Sequence, residues 1–359
     1  MPLEYYPPVT NFLNVIVKHA FFVKVWTTRN TKKRLTYHNE KLKTINRSPF
    51  PEKGDNVLKR LFKYFCFNIS CFIGLVKYKP EAIVYYESYS VYPVFLYMKF
   101  FGKVTKLYIH YHEYEDQENY KNGMKLVKYY HKLEKEFLYK KATWISQTNK
   151  DRIQMFASDH PNLPSGILKV TPNYPPKDWL RRTSLKKPDG HIVIKTVYVG
   201  SLSLKDTFIK EYCDWVLKQK GKVYFHIYAY NLHDDTIAYL KSLNTDYIVF
   251  YTKGVEYNKM PTLLADYDIG LILYKAHTKN YKYNAPNKLF EYQACGLKVL
   301  YPDVMLGISP YDSSNVISVN FKATHSLAPV IIKLSNAGLP NVQCFAEDAI
   351  QELLIELEK

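Results

Sequence analysis

The chain has 359 residues, of which 47% are apolar, so it can bury two cores of ordinary size and is not a disordered protein. Its formal net charge is +17, and residues 1–180 hold 29 lysines and arginines against 15 acidic residues. We therefore expect the N-terminal half to face any anionic partner, such as nucleic acid, an anionic bilayer or a phosphorylated acceptor. A solvated basic surface would give the same count.

Short apolar runs alternate with helix-length amphipathic stretches, which is typical of βα units around a parallel sheet. In the first half the predicted strands are residues 22–26, 82–86, 106–112, 143–146 and 168–171. The predicted helices are residues 57–76, 91–101, 121–140 and 149–157. The sequence therefore predicts an α/β domain with a parallel sheet.

Residues 171–190 interrupt this alternation with four prolines and a basic cluster, which indicates a linker. The alternation then restarts, with predicted strands at residues 192–199, 223–228, 248–250, 269–273 and 298–301. The predicted helices are residues 207–220, 235–242, 260–265, 286–295 and 346–358. Ligands of open α/β sheets bind at the carboxyl ends of the strands, so two such domains should enclose a cleft there.

These patterns predict four segments. Residues 1–175 form an N-terminal Rossmann-like domain, residues 176–190 an interdomain linker, and residues 191–342 a C-terminal Rossmann-like domain. Residues 343–359 form a helix that returns towards the N-terminal domain.

Residues 284–296 contain a helix start that suits an anionic ligand. Asn284 is predicted as the N-cap, Pro286 lies in the first turn, and Gly296 ends the helix. Free backbone N–H groups at that end could bind a diphosphate. Glu291, about one turn further on, could accept hydrogen bonds from ribose hydroxyls. A buried helix with a polar cap is the alternative interpretation.

The run PNKLFEYQACGLKVL, residues 286–300, resembles the nucleotide-binding segment of glycosyltransferase family 4 and related GT-B enzymes. The family pattern is P-x-K-x-x-E-x-x-A-x-G-x-P-V, whose Glu contacts the ribose, and Glu291 matches that position. Weaker similarities follow in the family's order, and the first, Tyr6-Pro7-Pro8, resembles the turn after the first strand. The others lie at His112-Glu113-Tyr114, Pro172-Asn173, Val199-Gly200-Ser201 and residues 266–271. The resemblance implies a GT-B fold, in which two Rossmann-like domains face each other across a cleft, and a C-terminal domain that binds the nucleotide sugar.

The resemblance also implies roles for particular residues. Those expected to bind the nucleotide sugar are Gly200, Ser201, Lys205, Asn284, Ala285, Pro286, Asn287, Lys288 and Glu291. His112 and Glu113 are expected to be catalytic, in contact with donor sugar or acceptor. An ordinary strand-end histidine and a solvated acidic loop are the alternatives.

Lys205 would offset diphosphate charge, because no Asp-x-Asp pair follows a strand and no metal ligand set is predicted. A surface lysine is the alternative interpretation of Lys205. Lys288, in the first turn of the predicted helix, could likewise either contact the diphosphate or be an ordinary surface lysine.

Four positions depart from the family pattern. Tyr283 stands where members often carry a first Glu, Ser201 replaces a common Arg, Ala229 replaces a Gly, and Lys298 replaces a Pro. These departures keep open a non-catalytic subunit of GT-B architecture that binds a nucleotide or a sugar.

The resemblance implies a retaining, metal-independent glycosyltransferase with a UDP- or GDP-linked donor as co-substrate and no further cofactor. A saccharide acceptor, free or lipid-linked, in surface polysaccharide synthesis is the expected setting. A nucleotide-sugar epimerase of the same architecture is a second alternative. Nucleic acid is not an expected partner, because no helix-turn-helix, RRM or zinc-finger signature occurs.

The five cysteines are odd in number, scattered and without a C-x-x-C pair, which favours a reducing cytoplasm. No secretory signal is visible, and the apolar run 64–76 is predicted to be too short to cross a bilayer. Residues 56–79 form a basic amphipathic helix that could lie on the anionic inner face of the cell membrane. A core helix with a basic outer edge is the alternative.

Overall fold

The computed structural model describes residues 2–19, 21–29, 34–42, 44–52, 54–183, 193–230 and 232–359. In chain order the strands are β1 (Lys24–Thr28), β2 (Thr44–Ser48), β3 (Ala82–Tyr86), β4 (Lys106–Tyr111), β5 (Ala142–Gln147), β6 (Leu168–Val170), β7 (Ile194–Val199), β8 (Val223–Tyr228), β9 (Ile248–Tyr251), β10 (Ile269–Leu271), β11 (Lys298–Pro302) and β12 (Val316–Val319). The helices are α1 (Pro7–Ile16), α2 (Val57–Tyr78), α3 (Val91–Phe100), α4 (Gln117–Asn122), α5 (Lys125–Leu133), α6 (Lys150–Asp159), α7 (Asp178–Thr183), α8 (Ile209–Lys218), α9 (Asp234–Ser242), α10 (Met260–Leu264), α11 (Lys279–Lys282), α12 (Asn287–Ala294), α13 (Leu327–Ser335) and α14 (Ala346–Glu358).

The chain divides into two compact units, and the first comprises the residues up to Asn173 together with Ala346–Lys359. Its main sheet has the parallel order β3-β4-β5-β6, while β1 and β2 pair separately. Leu107 and Ile109 of β4 face a core shared with α2 and α3, and Tyr108 faces the core formed with α1 and α14. Strand β4 is therefore apolar on both faces, as a central parallel strand must be.

The second unit, Tyr174–Phe345, is built on a six-stranded parallel sheet in the order β12-β11-β10-β7-β8-β9. Alternate residues of β7 lie on opposite faces of the sheet: Tyr198 belongs to one buried cluster, and Val197 and Val199 belong to the other. The predicted α/β class with Rossmann-like parallel sheets is confirmed in both units.

Several predicted element boundaries are wrong. The single helix predicted over residues 121–140 is divided by an extended Gly123 into α4 and α5, and a π-helical turn over Glu134–Leu138 follows. Pro7 does not follow a strand. It starts helix α1, because proline suits a first helical turn. Strands β2 and β12 and helix α13 were not predicted at all.

Part of the predicted linker 176–190 is ordered, because α7 is helical and Trp179 is buried in a core of the second unit. Residues 184–192 lie outside the described residues. The boundary between the units falls after Asn173, and the C-terminal helix α14 belongs to the first unit.

Helix α2 is longer than the apolar run 64–76 that was predicted to be too short to cross a bilayer. With 22 residues and a mean hydropathy of 1.2, it is long and apolar enough to cross a membrane by length and composition alone. Only 22% of that stretch is buried within the protein. Within the described parts of the chain it is the one helix with these properties.

Candidate functional site

Helix α12 begins without a side-chain cap. Pro286 occupies the N-cap position with an extended backbone (φ −70°, ψ 151°), and no described side chain accepts a hydrogen bond there. The prediction of Asn284 as the cap is wrong, because Asn284 lies two residues too early and its N–H donates to the Tyr281 carbonyl (3.3 Å). The first N–H groups of α12 are thus positioned to bind an anion.

The side chain of Lys288 crosses the turn that follows β7. Gly200 in that turn has φ 139°, and a Cβ there would lie 2.7 Å from Lys288 Nζ. The ammonium donates a hydrogen bond to the Tyr274 hydroxyl, and it lies 5.0 Å from the centre of the Tyr198 ring. A side chain at position 200 would be strained at this φ and would displace the end of Lys288, so the glycine keeps the ammonium in its place over the turn.

Glu291 lies about one turn further along α12 and is only 8% exposed. Burial raises the pKa of its carboxyl to about 7, although the neighbouring Lys288 ammonium opposes that rise. The pair therefore places a cation and a titratable carboxyl side by side near the start of the helix. These groups can bind a diphosphate and a ribose, respectively.

The other predicted residues of this region lie around that pair. Ala285 and Pro286 are buried, whereas Asn284 and Asn287 are half-buried. Ser201 and Lys205 are exposed, and the Ser201 carbonyl accepts a hydrogen bond from the Tyr198 hydroxyl (2.6 Å). The cation that meets Gly200 is therefore Lys288, and Lys205 lies further along an exposed loop.

Tyr292 fixes α12 against the sheet, and its role was not predicted. Its hydroxyl accepts a hydrogen bond from the Val199 N–H (3.1 Å), and a Cβ on Gly270 would collide with its ring. The Lys288 ammonium itself lies 5.0 Å from the centre of the Tyr198 ring and 4.7 Å from that of Tyr274. Tyrosine is so abundant in the sequence that Tyr292 did not stand out from the others. The glycine inside strand β10 could have indicated that a side chain packs closely against that strand.

His112 directly follows β4 in the first unit. It is 7% exposed and stacks on the rings of Tyr86 (5.3 Å) and Tyr6 (5.8 Å). Nδ1 lies 3.2 Å from Asn173 Oδ1, so Nδ1 carries the proton and Nε2 presents a lone pair. Nε2 is buried and has no hydrogen-bond partner in the described parts of the chain.

Burial lowers the pKa of His112 to about 4, and the hydrogen bond that His112 donates to Asn173 only partly opposes this fall. The imidazole is therefore neutral at neutral pH and can accept a hydrogen bond from a hydroxyl. His110, two residues earlier, lies edge-on to His112 at 4.7 Å, and its Nδ1 pairs with Ser146 Oγ (2.8 Å). His110 is thus a structural neighbour of His112.

Glu113 occupies a different environment from His112. Its side chain is 57% exposed and pairs with Arg152 (Nη2–Oε2 3.2 Å), which is itself 1% exposed. The same guanidinium donates to the His112 carbonyl (2.6 Å) and to Thr148 Oγ1 (2.8 Å). Arg152 therefore holds the backbone at His112, and a catalytic role for Glu113 stays a prediction.

Glu87, at the end of β3, was not predicted. Its backbone is at φ 61° and ψ 154°, a conformation that costs a non-glycine residue about 1–3 kcal/mol. Its carboxylate accepts a hydrogen bond from the His112 N–H (2.7 Å), and burial raises its pKa to about 8. Sequence patterns give no signal for such a residue, because only the fold brings Glu87 to the end of β4.

In the parts of the chain that the structure describes, no three or more His, Cys, Asp or Glu residues cluster in a way that could hold a metal ion. The residues predicted to bind the nucleotide sugar lie in the second unit, and His112 and Glu113 lie in the first.

No family model and no curated protein matches the chain. Solved structures do. A sucrose-phosphate synthase from Thermosynechococcus elongatus matches with a TM-score of 0.60 at 13% identity, over 96% of this chain and 89% of that one. HepE from Anabaena, solved with UDP and glucose, matches with a TM-score of 0.56 at 12% identity, over 89% and 86%.

A UDP-GlcNAc 2-epimerase from Neisseria meningitidis, solved with UDP-GlcNAc, matches with a TM-score of 0.52 at 14% identity, over 86% and 83% of the two chains. At such identities the likeness shows the fold alone. The chain has the GT-B fold, as the resemblance of residues 286–300 implied.

Proposed function

We propose that the protein is a nucleotide-sugar-dependent glycosyltransferase. The observation that carries the proposal is the placement of Lys288 across the Gly200 turn, beside the uncapped start of α12 and the buried Glu291. A nucleoside diphosphate suits this site, because its anionic phosphates can bind Lys288 and the N–H groups of α12, and its ribose hydroxyls can donate to the Glu291 carboxylate. HepE from Anabaena was solved with UDP and glucose, and the Neisseria epimerase with UDP-GlcNAc, which supports the same class of ligand.

In the proposed reaction the sugar moves to a saccharide acceptor, free or lipid-linked, with retention at the anomeric carbon. The departing UDP or GDP is stabilised by the Lys288 ammonium and by the N–H groups of α12, so the proposal requires no divalent ion. His112 accepts a hydrogen bond from a sugar hydroxyl through Nε2. We place the reaction in surface polysaccharide synthesis, on the cytoplasmic side of the cell membrane.

A nucleotide-sugar epimerase is the second candidate, because a UDP-GlcNAc 2-epimerase is among the matched structures over most of this chain. The two candidates use the same nucleotide site. An epimerase interconverts a free donor without any acceptor, whereas a transferase releases the nucleoside diphosphate only when an acceptor is present.

The first test is the thermal stabilisation of the protein by UDP, GDP, ADP and CMP. A nucleotide at 100 times its dissociation constant should stabilise the fold by about 2.7 kcal/mol. The variants Lys288→Met and Glu291→Ala should lose most of the stabilisation, because each removes a group placed to contact the ligand. Lys333→Met, which alters an exposed lysine on α13 of the same unit, is the matched control.

If no nucleotide stabilises the wild type, or if Lys288→Met responds like Lys333→Met, the site assignment is wrong. If one nucleotide binds, its sugar conjugates can be tested for turnover with and without saccharide acceptors. Turnover of the free donor to an epimer would favour the epimerase.

A further inference from the structure

Helix α2 turns its apolar side outward. Leu58, Phe62, Phe65 and Ile73 are 77%, 62%, 59% and 58% exposed, and Leu61 and Ile69 are also exposed. At about 100° per residue, Leu61 and Ile73 bound an arc of about 120° that contains all six side chains. The helix thus presents one continuous apolar stripe to solvent.

The opposite side of α2 is fixed by its packing in the first unit. Cys71, Gly74 and Leu75 are buried, and a Cβ on Gly74 would collide with the ring of Trp26. Asn68 Nδ2 donates a hydrogen bond to the Tyr130 hydroxyl (2.8 Å). These contacts determine the orientation of the helix, so the apolar stripe cannot turn inward without breaking them.

The apolar surface continues beyond α2. Phe72 contacts the Phe101 ring (centroids 6.1 Å apart), and Phe100, Phe101 and Val104 are exposed after α3. We call the six stripe residues together with Phe100, Phe101 and Val104 the apolar face. An exposed apolar surface that spans two elements indicates a binding surface, not isolated exposed residues.

The charge around the apolar face is positive. Residues 55–106 contain eight lysines and arginines and three acidic residues, Asp55, Glu81 and Glu87. Lys59 and Lys77 lie along one edge of the stripe, although Lys59 pairs with Asp55 (2.9 Å). Lys99 and Lys103 flank the exposed phenylalanines at the end of α3, and all four lysines are exposed. Apolar side chains bordered by lysines match the boundary between the acyl chains and the anionic headgroups of a bilayer.

We propose that the apolar face binds an anionic lipid bilayer, with α2 lying in the plane of the membrane surface. A protein partner would not require lysines at both ends of the stripe, but a charged headgroup layer extends along the whole of it. Crossing the bilayer would break the packing on Trp26 and the Asn68–Tyr130 hydrogen bond. This proposal does not depend on the nucleotide site.

The test is flotation of the full chain with vesicles of phosphatidylcholine alone and with added phosphatidylglycerol. The protein should float with the anionic vesicles and not with the neutral ones. The variant Phe62→Ser/Phe65→Ser should bind more weakly by about tenfold for each phenylalanine, because burial of one phenyl side chain is worth at least a tenfold step in affinity. Lys77→Gln/Lys103→Gln should also weaken binding and reduce its dependence on salt.

Two control variants test whether vesicle binding is specific to the apolar face. Leu339→Ser removes an exposed apolar residue of the second unit, and Lys333→Gln removes a lysine there; both should bind vesicles as the wild type does. The double phenylalanine variant should keep the wild-type melting temperature, since both side chains are exposed, and any stabilisation by nucleotide.

Three results would overturn the proposal. The first is a failure of either expected difference: equal binding to neutral and anionic vesicles, or equal binding by the wild type and the double phenylalanine variant. The second is a dimer in solution that the same variant converts to a monomer while no vesicle binding occurs, which would mean that a second copy covers the face. The third is resistance of the bound protein to alkaline extraction, which would mean that α2 crosses the bilayer.

Discussion

The carboxyl of Glu291 should make the stability of the protein depend on pH in a way that one substitution removes. Burial raises the pKa of this group from 4.5 to about 7 in the folded state. A rise of that size corresponds to about 3 kcal/mol, at 1.36 kcal/mol for each pH unit. Because the folded pKa is the higher one, this stability is fully present below pH 4.5 and is lost as the pH rises through 7.

The variant Glu291→Gln keeps the size of the side chain and cannot ionise. Its free energy of unfolding should match that of the wild type near pH 4.5 and exceed it by about 3 kcal/mol at pH 8. For a unit of this size the difference corresponds to roughly 10 °C in melting temperature. Lys288 stays in place in this variant, so the comparison isolates the carboxyl.

Thermal unfolding followed by circular dichroism at a series of pH values measures this difference directly. Other groups titrate in the same range, so the quantity to plot is the variant minus the wild type. Glu118→Gln, at an exposed position on α4, is the matched control. If the Glu291→Gln difference is constant between pH 4.5 and 8, Glu291 is not desolvated in the folded protein and the reasoning fails.

Three further predictions concern the two candidate sites. Gly200→Ala should destabilise the protein by about 2 kcal/mol and weaken nucleotide stabilisation, because φ 139° strains an alanine and its Cβ would displace the end of the Lys288 side chain; unchanged melting and binding would contradict this. Because the pKa of His112 is lowered to about 4, the wild type should lose about 3 kcal/mol of its free energy of unfolding as the pH falls from 6.5 to 4, and His112→Gln should not. Parallel acid-denaturation curves for the two proteins would show that His112 is solvated. Arg152→Met should destabilise by about 1–3 kcal/mol in urea unfolding, because the His112 carbonyl and Thr148 Oγ1 lose a buried donor; an effect below about 0.5 kcal/mol would mean that the guanidinium is not needed there.

The sequence predicted those elements whose residues carry a strong local pattern. Strand β3 was predicted with its observed bounds, and β4 and β7 to within two residues. Helix α1 was missed because its two prolines indicated a turn, although proline also suits a first helical turn. The polar strand β2, TINRS, has neither an apolar run nor an alternation that distinguishes it from a loop.

The candidate nucleotide site was predicted from a local pattern for the same reason, and its role stays a prediction. Residues 286–300 are contiguous, so a local motif could indicate Lys288 and Glu291 together. The N-cap was placed wrongly at Asn284, because the preference for asparagine at caps is only statistical and the helix starts after Pro286. The roles of Glu87 and Arg152 had no sequence signal.

The sequence by itself determined the alternation of strands and helices, the helix-start motif of α12 and the excess of positive charge in the first half, because each depends on neighbouring residues along the chain. Only the tertiary structure decided that Lys288 meets Gly200, that Glu87 holds the His112 backbone, and that α2 turns its phenylalanines outward. The periodicity of α2 showed that it is amphipathic but could not show which side is buried. That choice depends on Trp26 and Tyr130, which are distant in the sequence and reach the helix only through the folded sheet.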